Sequence, residues 1–222
     1  MLLFPRMTQL DLTGPYEVLA RLPNTRVSLV APRLDPVETD RGLIILPNAT
    51  YADCPQVDVI VVPGGPGQQD LMDDAPTLAF LRRQAEGAAY VTSVCTGSLV
   101  LGAAGLLEGR RATCHWSAVD LLSHFGAIPT RERIVFDGRI ITAAGVASGI
   151  DFALALAARL DGETVAREIQ LHIEYDPAPP FDSGSPRTAA PDIVERVKAR
   201  GAKLYAARAD TARRVGEKIG QG

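Results

Sequence analysis

Short apolar runs rich in β-branched residues alternate along the chain with longer amphipathic or small-residue segments. The run V-D-V-I-V-V-P at 57–63 is almost continuously apolar, as is typical of a strand buried on both faces of a parallel sheet. Asp137-Gly138 separates two shorter runs and indicates a β-hairpin. Together the runs predict strands at 1–4, 26–31, 43–46, 57–63, 90–94, 111–113, 134–137 and 139–142.

The intervening segments predict helices at 15–22, 75–87, 96–107, 117–125, 144–160, 164–175 and 190–214. A polar loop is expected at 5–14, and a Pro-rich stretch at 176–186 is the main linker-like segment. Because strands alternate with helices, we expect a single α/β domain over 1–222, with a mostly parallel sheet covered by helices on both faces. A helical extension is expected at about 187–222.

Composition narrows the class of protein. With 222 residues, 46% of them hydrophobic, and a net charge of −3, the chain suits one sizeable domain and gives no general attraction to nucleic acid or anionic membranes. It shows no apolar run of about 18 residues and no signal-like start, so we expect a cytoplasmic protein that does not span a membrane. Three cysteines without C-x-x-C spacing and three histidines without metal-type pairing predict neither a disulfide scaffold nor a metal site.

Cys95 is the leading candidate for a reactive group. It directly follows the predicted strand Y-V-T-S-V and precedes Thr-Gly-Ser and a small-residue helix. A thiol at the start of a helix faces free backbone N–H groups, which favour the thiolate. The alternative is a small buried hydrophobe, as free cysteines often are. Cys54 and Cys114 lack a following helix start and are expected to be structural.

The residues near the two strand ends offer hydrogen-bond donors to such a thiol. The Thr96 N–H is placed like the oxyanion donor of a nucleophile elbow, and its hydroxyl could bond an acid or a substrate. The plainer alternative is a helix cap. Gly64 and Gly65 end the preceding strand, where they form either a tight turn or a backbone that approaches a ligand closely.

Three further side chains are candidates with plainer alternatives. Asp11 is flanked by leucines, which indicates partial burial and a raised pKa that suits proton transfer. On the sequence alone, a surface or capping aspartate is the favoured reading of Asp11. His115 could be a base for Cys95 but is more simply structural. Trp116 is expected to form an apolar wall of a pocket.

Several sequence blocks resemble the DJ-1/PfpI superfamily. These blocks are P-G-G at 63–65, V-C-T-G-S-L-V-L-G-A-A-G-L-L at 94–107 and R-R-A-T-C-H-W at 110–116, of which P-G-G and C-T-G are superfamily marks. Three other blocks resemble the superfamily branch that hydrates isocyanides: F-P-R-M-T-Q-L-D-L-T-G-P, G-I-D-F-A-L-A-L-A-A-R-L and I-E-Y-D-P-A-P-P-F-D-S-G-S-P. The resemblance extends over nearly the whole chain.

The resemblance implies a flavodoxin-like three-layer sandwich, a homodimer and a cofactor-independent lyase acting on an isocyanide. It makes Cys95 the nucleophile and Asp11 its carboxylic acid, with the Thr96 hydroxyl as a partner. The amides of Gly64 and Gly65 would contact the substrate. The backbone near Ile150 would border the thiolate. Thr96 stands where a protease-like branch has histidine, so a Cys–His dyad is not expected.

The implied chemistry suits these residues. A thiolate attacks the terminal carbon of R–N≡C to give a thioimidate, which water converts into a formamide. Two other functions stay open. The chain resembles the ligand-sensing domains of AraC-type regulators, although about a hundred residues after Ile128 are too few for a double helix-turn-helix. A redox sensor or glyoxalase-like enzyme would use the same thiol but usually places a glutamate beside it.

Overall fold

The computed structural model of the protein describes residues 1–220. The strands are β1 (Val30–Ala31), β2 (Val37–Glu38), β3 (Ile44–Ile45), β4 (Ala49–Thr50), β5 (Val59–Val62), β6 (Tyr90–Val94), β7 (Arg111–Ala112), β8 (Ile128–Pro129), β9 (Ile134–Asp137) and β10 (Ile140–Ala143). The α-helices are α1 (Gln9–Leu19), α2 (Gln68–Leu71), α3 (Ala75–Gly87), α4 (Gly97–Ala103), α5 (Ser148–Asp161), α6 (Glu163–His172) and α7 (Pro191–Ile219). A 3₁₀ helix spans Val119–Phe125.

The central sheet has the strand order β5-β6-β10-β9. β5, β6 and β10 run parallel, and β9 pairs antiparallel with β10 through the predicted hairpin at Gly138. β5 and β6 are therefore neighbours, with Val62 opposite Ser93. Because parallel strands end at the same edge of a sheet, the segments after β5, β6 and β10 converge there.

Residues 1–4 extend this sheet only weakly. The Leu2 N–H bonds to the Val61 carbonyl at 3.0 Å, and Leu2 forms an isolated parallel bridge with Val30. β1 in turn pairs with β4, while β2–β3 and β7–β8 form separate two-stranded pairs. The predicted strand at 26–31 pairs only over its last two residues.

Side chains alternate across the sheet into two cores, which confirms a three-layer arrangement. Ile60 and Val62 belong to the core under α3, α4 and α7, whereas Val61 lies in the core under α1, α5 and α6. Neighbouring residues of a strand point to opposite faces, so both faces of β5 must be covered by helices.

The predicted loop at 5–14 is wrong, because helix α1 begins at Gln9. Pro15 suggested a helix start but lies inside α1, where the missing N–H leaves the Asp11 carbonyl without its intrahelical partner. Close packing supports the helix across this defect. A Cβ on Gly14 would lie 3.2 Å from the Ile150 side chain, so α1 rests directly on α5. Asp11 thereby sits in the first turn of a packed helix rather than in a loop.

Helix α7 is longer than predicted, and its second half is part of the fold. It buries Arg208, Thr211, Ala212 and Val215, while most of its residues before position 204 are exposed. Its many charges at helical spacing are also typical of a solvated or dimer-edge helix. The spacing of these four residues places them on one face, and that face packs on α4 and the 3₁₀ helix.

Two glycines of α7 form a matched pair for testing this packing. A Cβ on Gly216 would lie 2.0 Å from the His124 carbonyl oxygen, whereas a Cβ on Gly201 would meet nothing within 4 Å. We expect Gly216→Ala to lower the free energy of unfolding by about 1–3 kcal/mol through overpacking. Gly201→Ala should raise it by up to about 1 kcal/mol through helix propensity.

Urea unfolding of both variants measures the difference. Equal stability of the two variants would contradict the close approach of α7 to the 3₁₀ helix.

Candidate active site

The backbone at Cys95 turns sharply between β6 and α4. Cys95 has a φ of 58°, in the left-handed region that few non-glycine residues adopt. Its N–H bonds to the Ala143 carbonyl at 3.0 Å, which ties the turn to β10. A Cβ on Gly97 would lie 2.1 Å from the Val62 carbonyl oxygen, so only glycine lets α4 start this close to β5. The predicted strand–cysteine–helix elbow is present.

Asp11 reaches this turn from α1 and is fully buried. Its Oδ2 accepts a hydrogen bond of 2.9 Å from the Gly64 N–H. Its Oδ1 is buried without a well-formed hydrogen bond, and the Cys95 thiol faces the carboxyl. The structure thus brings Asp11 and Cys95 together, although they are 84 positions apart in the sequence.

Burial raises the pKa of Asp11 to about 7. The Gly64 N–H and the Cys95 thiol favour the carboxylate and oppose this rise, while the charge of Asp40 adds to it. A carboxyl with a pKa near neutral pH can both donate and accept a proton during one reaction. The surface aspartate favoured by the sequence alone is therefore excluded.

Thr96 is buried beside Cys95, and its hydroxyl does not cap α4. The Thr96 Oγ1 instead accepts a hydrogen bond of 3.0 Å from the Gly65 N–H. The Thr96 N–H points to the Cys95 sulfur and favours its ionised form. The plainer interpretation of Thr96 as a simple helix cap is therefore wrong.

Gly64 and Gly65 form a turn packed against these two residues. A Cβ on Gly64 would lie 2.5 Å from the Thr96 nitrogen, and one on Gly65 would lie 2.3 Å from the Thr8 nitrogen. Both glycine amides are already bonded within the protein, to Asp11 and Thr96. In this structure the two amides hold the acid and the threonine in place, and contact of this turn with a substrate stays a prediction.

The ionisation of Cys95 departs from the expectation based on the helix start. Burial and the neighbouring Asp11 carboxyl raise the pKa of the Cys95 thiol. The Thr96 N–H and the Arg208 guanidinium oppose this rise but do not outweigh it. Helix α4 has only seven residues and adds little dipole. The resting residue is thus a thiol next to a carboxyl that can take its proton.

His115 and Trp116 lie at the mouth of the site. The His115 Nδ1 is 2.8 Å from the Ser117 hydroxyl, and burial lowers the pKa of the ring to about 4, so the imidazole is neutral. The backbone N–H of His115 bonds to the Cys95 carbonyl, whereas its ring pairs with Ser117. Among residues 1–220, the hydrogen-bond partner of the His115 ring is thus Ser117. The Trp116 ring lies 5.6 Å from that of His115.

Ile150 packs against the core cluster that contains Cys95, and its side chain meets Gly14 where α1 contacts α5. It is not among the residues that line the cavity in front of Cys95. The expected place of its backbone beside the thiolate stays a prediction.

A cavity of about 760 Å³ opens in front of Cys95. This volume suits a small organic molecule. Its apolar lining includes Trp116, Val146 and several residues of α7. The lining from α7 consists of Val194, Val197, Lys198, Gly201, Ala202, Leu204, Tyr205 and Arg208.

Sequence reasoning did not identify Arg208 or Asp40 as charged residues of this cavity. Arg208 is buried and reaches in from α7, and its place on the face with Thr211 and Val215 was a usable signal. Asp40 also lines the cavity, with Thr8 donating to its Oδ2 at 3.3 Å. Its position in a polar loop gave no signal.

Two negative findings apply to residues 1–220. No group of three or more His, Cys, Asp or Glu side chains in this part of the chain is arranged to hold a metal ion. No helix in the same range combines the length and apolar character needed to cross a membrane.

Comparison with known proteins gives consistent matches. A family model described as the DJ-1/PfpI family matches residues 1–159. Isonitrile hydratase from Pseudomonas putida is 54% identical over 218 residues, which cover 98% of this chain and 96% of that protein.

Solved structures agree. A ThiJ/PfpI family protein from Pseudomonas syringae has a TM-score of 0.94 and 45% identity, over 96% of this chain and 88% of that one. A variant of a DJ-1 superfamily protein from Salmonella typhimurium has a TM-score of 0.69 and 28% identity, over 80% and 97% of the two chains.

The raised pKa of Asp11 predicts a pH-dependent stability. The native state holds this proton up to pH 7, whereas the unfolded chain releases it near pH 3.8. The stabilisation is therefore complete below pH 3.8 and is lost as the pH rises towards 7. Asp11→Asn does not ionise and so does not lose this stabilisation. As the pH rises from 5 to 8, the free energy of unfolding of the variant minus that of wild type should therefore increase by about 3 kcal/mol.

Urea unfolding of both proteins at several pH values measures this difference. A stability difference that stays constant with pH would show that Asp11 titrates normally.

Proposed function

The chain belongs to the DJ-1/PfpI family, and within that family we propose that it is a hydratase that adds water to an isocyanide and releases an N-substituted formamide. The observation that carries the proposal is the buried pair of Cys95 and Asp11, with no imidazole between them. Similarity to the Pseudomonas putida isonitrile hydratase over nearly the whole chain supports the choice of substrate.

In the first half-reaction, the Cys95 sulfur attacks the terminal carbon of R–N≡C. Asp11, as a carboxylate, takes the thiol proton while the carbon–sulfur bond forms. The attacked carbon then carries the negative charge, and Asp11 returns the proton to that carbon. The product of this step is a neutral thioimidate, R–N=CH–S–Cys95, and Asp11 is again a carboxylate.

In the second half-reaction, water attacks the thioimidate carbon and Asp11 accepts a proton from it. The nitrogen takes up that proton as the tetrahedral intermediate forms. Collapse breaks the carbon–sulfur bond, releases R–NH–CHO and returns the remaining hydroxyl proton to sulfur. A pKa of about 7 lets Asp11 serve in both directions.

The cavity suits the apolar group R. Trp116, Val146, Leu204 and Tyr205 border it, and these side chains can contact a hydrocarbon substituent while the isocyanide carbon points to Cys95. Thr96, held by the Gly65 N–H, is the proposed hydroxyl partner next to the reacting atoms.

The alternative functions receive less support from the described residues. Residues 191–219 form one continuous helix, and a DNA shift assay distinguishes a hydratase from an AraC-type regulator, which binds DNA through helix-turn-helix units. A glyoxalase-like enzyme or redox sensor would also use Cys95. Assays of the reaction products distinguish these functions from that of a hydratase. The single-domain organisation, the homodimer and the cytoplasmic location stay predictions. Exposed Ile193, Val197 and Tyr205 on α7 are apolar groups that a second copy could cover.

The test is to incubate purified protein with cyclohexyl isocyanide and to detect the formamide. Cys95→Ala should abolish formamide production, because the nucleophile is absent. Asp11→Asn should lower kcat by about 10²–10⁴-fold through loss of proton transfer. Mass spectrometry of the wild-type protein should show a transient adduct on Cys95 equal to the mass of the isocyanide.

Cys54→Ala is the matched control, since Cys54 is a buried thiol remote from the cavity and should keep full activity. Formamide production by purified Cys95→Ala protein would refute the mechanism. Lactate from methylglyoxal without formamide from an isocyanide would favour the glyoxalase-like alternative.

A further inference from the structure

Arg208 brings a positive charge into the site from the far end of the chain. It lies on α7 and is only 6% exposed. Its Nε donates a hydrogen bond of 2.7 Å to the Gln68 Oε1, and its Nη2 donates one of 3.5 Å to the Gly65 carbonyl. It also lines the cavity that contains Cys95. The guanidinium is thus held against the same Gly64-Gly65 turn that fixes Asp11 and Thr96.

This buried cation has no ion-pair partner within residues 1–220. Its bonds go to an amide oxygen and a backbone carbonyl, and burial lowers the pKa of Arg208. Burial of an unpaired charge is unfavourable, so such a group is normally compensated. The groups that favour its charged form are the thiols of Cys95 and Cys114, when ionised.

Cys95 in turn needs a positive charge that the nearby secondary structure does not provide. Helix α4 is short, and both burial and Asp11 disfavour a thiolate. Among the described residues, Arg208 is the charged side chain that acts in the opposite direction.

We propose that Arg208 is a positioning residue that supplies the counter-charge for the Cys95 sulfur as it becomes a nucleophile. The inference rests on Cys95 being the nucleophile of the proposed function. Arg208 acts through the sulfur and through the Gly65 carbonyl, and it takes no proton in the reaction. It would stabilise negative charge on sulfur during attack and again when the thioimidate collapses.

Other charged groups that face the cavity do not replace it. Asp11 opposes a thiolate, Asp40 carries no positive charge, and His115 is neutral at pH 7. Arg131 is paired with Asp120 at the exposed rim, where solvent screens the pair. Lys198 also lies at the exposed rim and pairs with a glutamate on its own helix.

A purely structural role for Arg208 is the competing explanation. The same hydrogen bonds could simply tether α7 to Gln68 and Gly65. The two roles differ in their response to substitution, because lysine keeps the charge but cannot reproduce the two-sided hydrogen bonding of a guanidinium.

The experiment measures the rate at which neutral iodoacetamide alkylates Cys95 between pH 6 and pH 10. Peptide mass spectrometry assigns the label to Cys95 rather than Cys54 or Cys114. We expect Arg208→Gln to slow alkylation about tenfold at pH 7.5, as for a shift of one pKa unit, with the whole pH–rate curve displaced to higher pH. Arg208→Lys should stay within about threefold of wild type, because it retains the charge.

Two control variants separate charge from tethering. Arg214→Gln removes a positive charge from the same helix, where it pairs with exposed Asp73, and should leave the rate unchanged. Gln68→Ala removes the shorter of the two hydrogen bonds that tether Arg208 but keeps the guanidinium, and should lower the rate less than threefold. Thermal unfolding of each variant shows whether it is folded.

A wild-type rate and pH profile in folded Arg208→Gln would overturn the proposal. So would equal tenfold losses in Arg208→Lys and Gln68→Ala, which indicate a tether. If Arg208→Gln does not fold, a tenfold loss in folded Arg208→Lys would still overturn the proposal. Alkylation does not require an isocyanide, so absent formamide production would count against the proposed function and not against this role of Arg208.

Discussion

Two backbone hydrogen bonds from one turn hold the candidate site together. The Gly64 N–H bonds to Asp11 and the Gly65 N–H bonds to Thr96, so the end of β5 joins the start of α1 to the start of α4. Neither glycine has room for a Cβ. The position of the carboxyl relative to the thiol therefore depends on a turn that contributes no side chain.

The sheet explains why this turn can act on both residues. Parallel β5 and β6 end at the same edge, which brings the turn after one strand against the elbow after the other. The carboxyl enters from the opposite side on α1, whose position is fixed by close contact with α5 at Gly14. Burial from both layers then gives Asp11 a pKa suited to moving a proton at neutral pH.

Much of this arrangement could be predicted from local sequence. β-Branched runs predicted the two central strands, Gly138 the hairpin and Cys95 the elbow, because each depends on nearby residues. Asp11 as a functional group came from family resemblance, since leucines beside an aspartate do not reveal a contact across 84 positions. The bonding of the Gly64 and Gly65 amides could not be predicted, because a pair of glycines fits a free turn equally well.

Helix α7 lies outside the residues that the family model matches but contributes to the candidate site. The family model ends at residue 159, yet Arg208 lies on a segment well beyond it and reaches the cavity. The residues matched by the family model supply the thiol, the acid and the turn. The positive charge of Arg208, which affects the thiol, comes from a residue outside that match. Proteins that share the core but continue differently after it would present the same cysteine at a different reactivity.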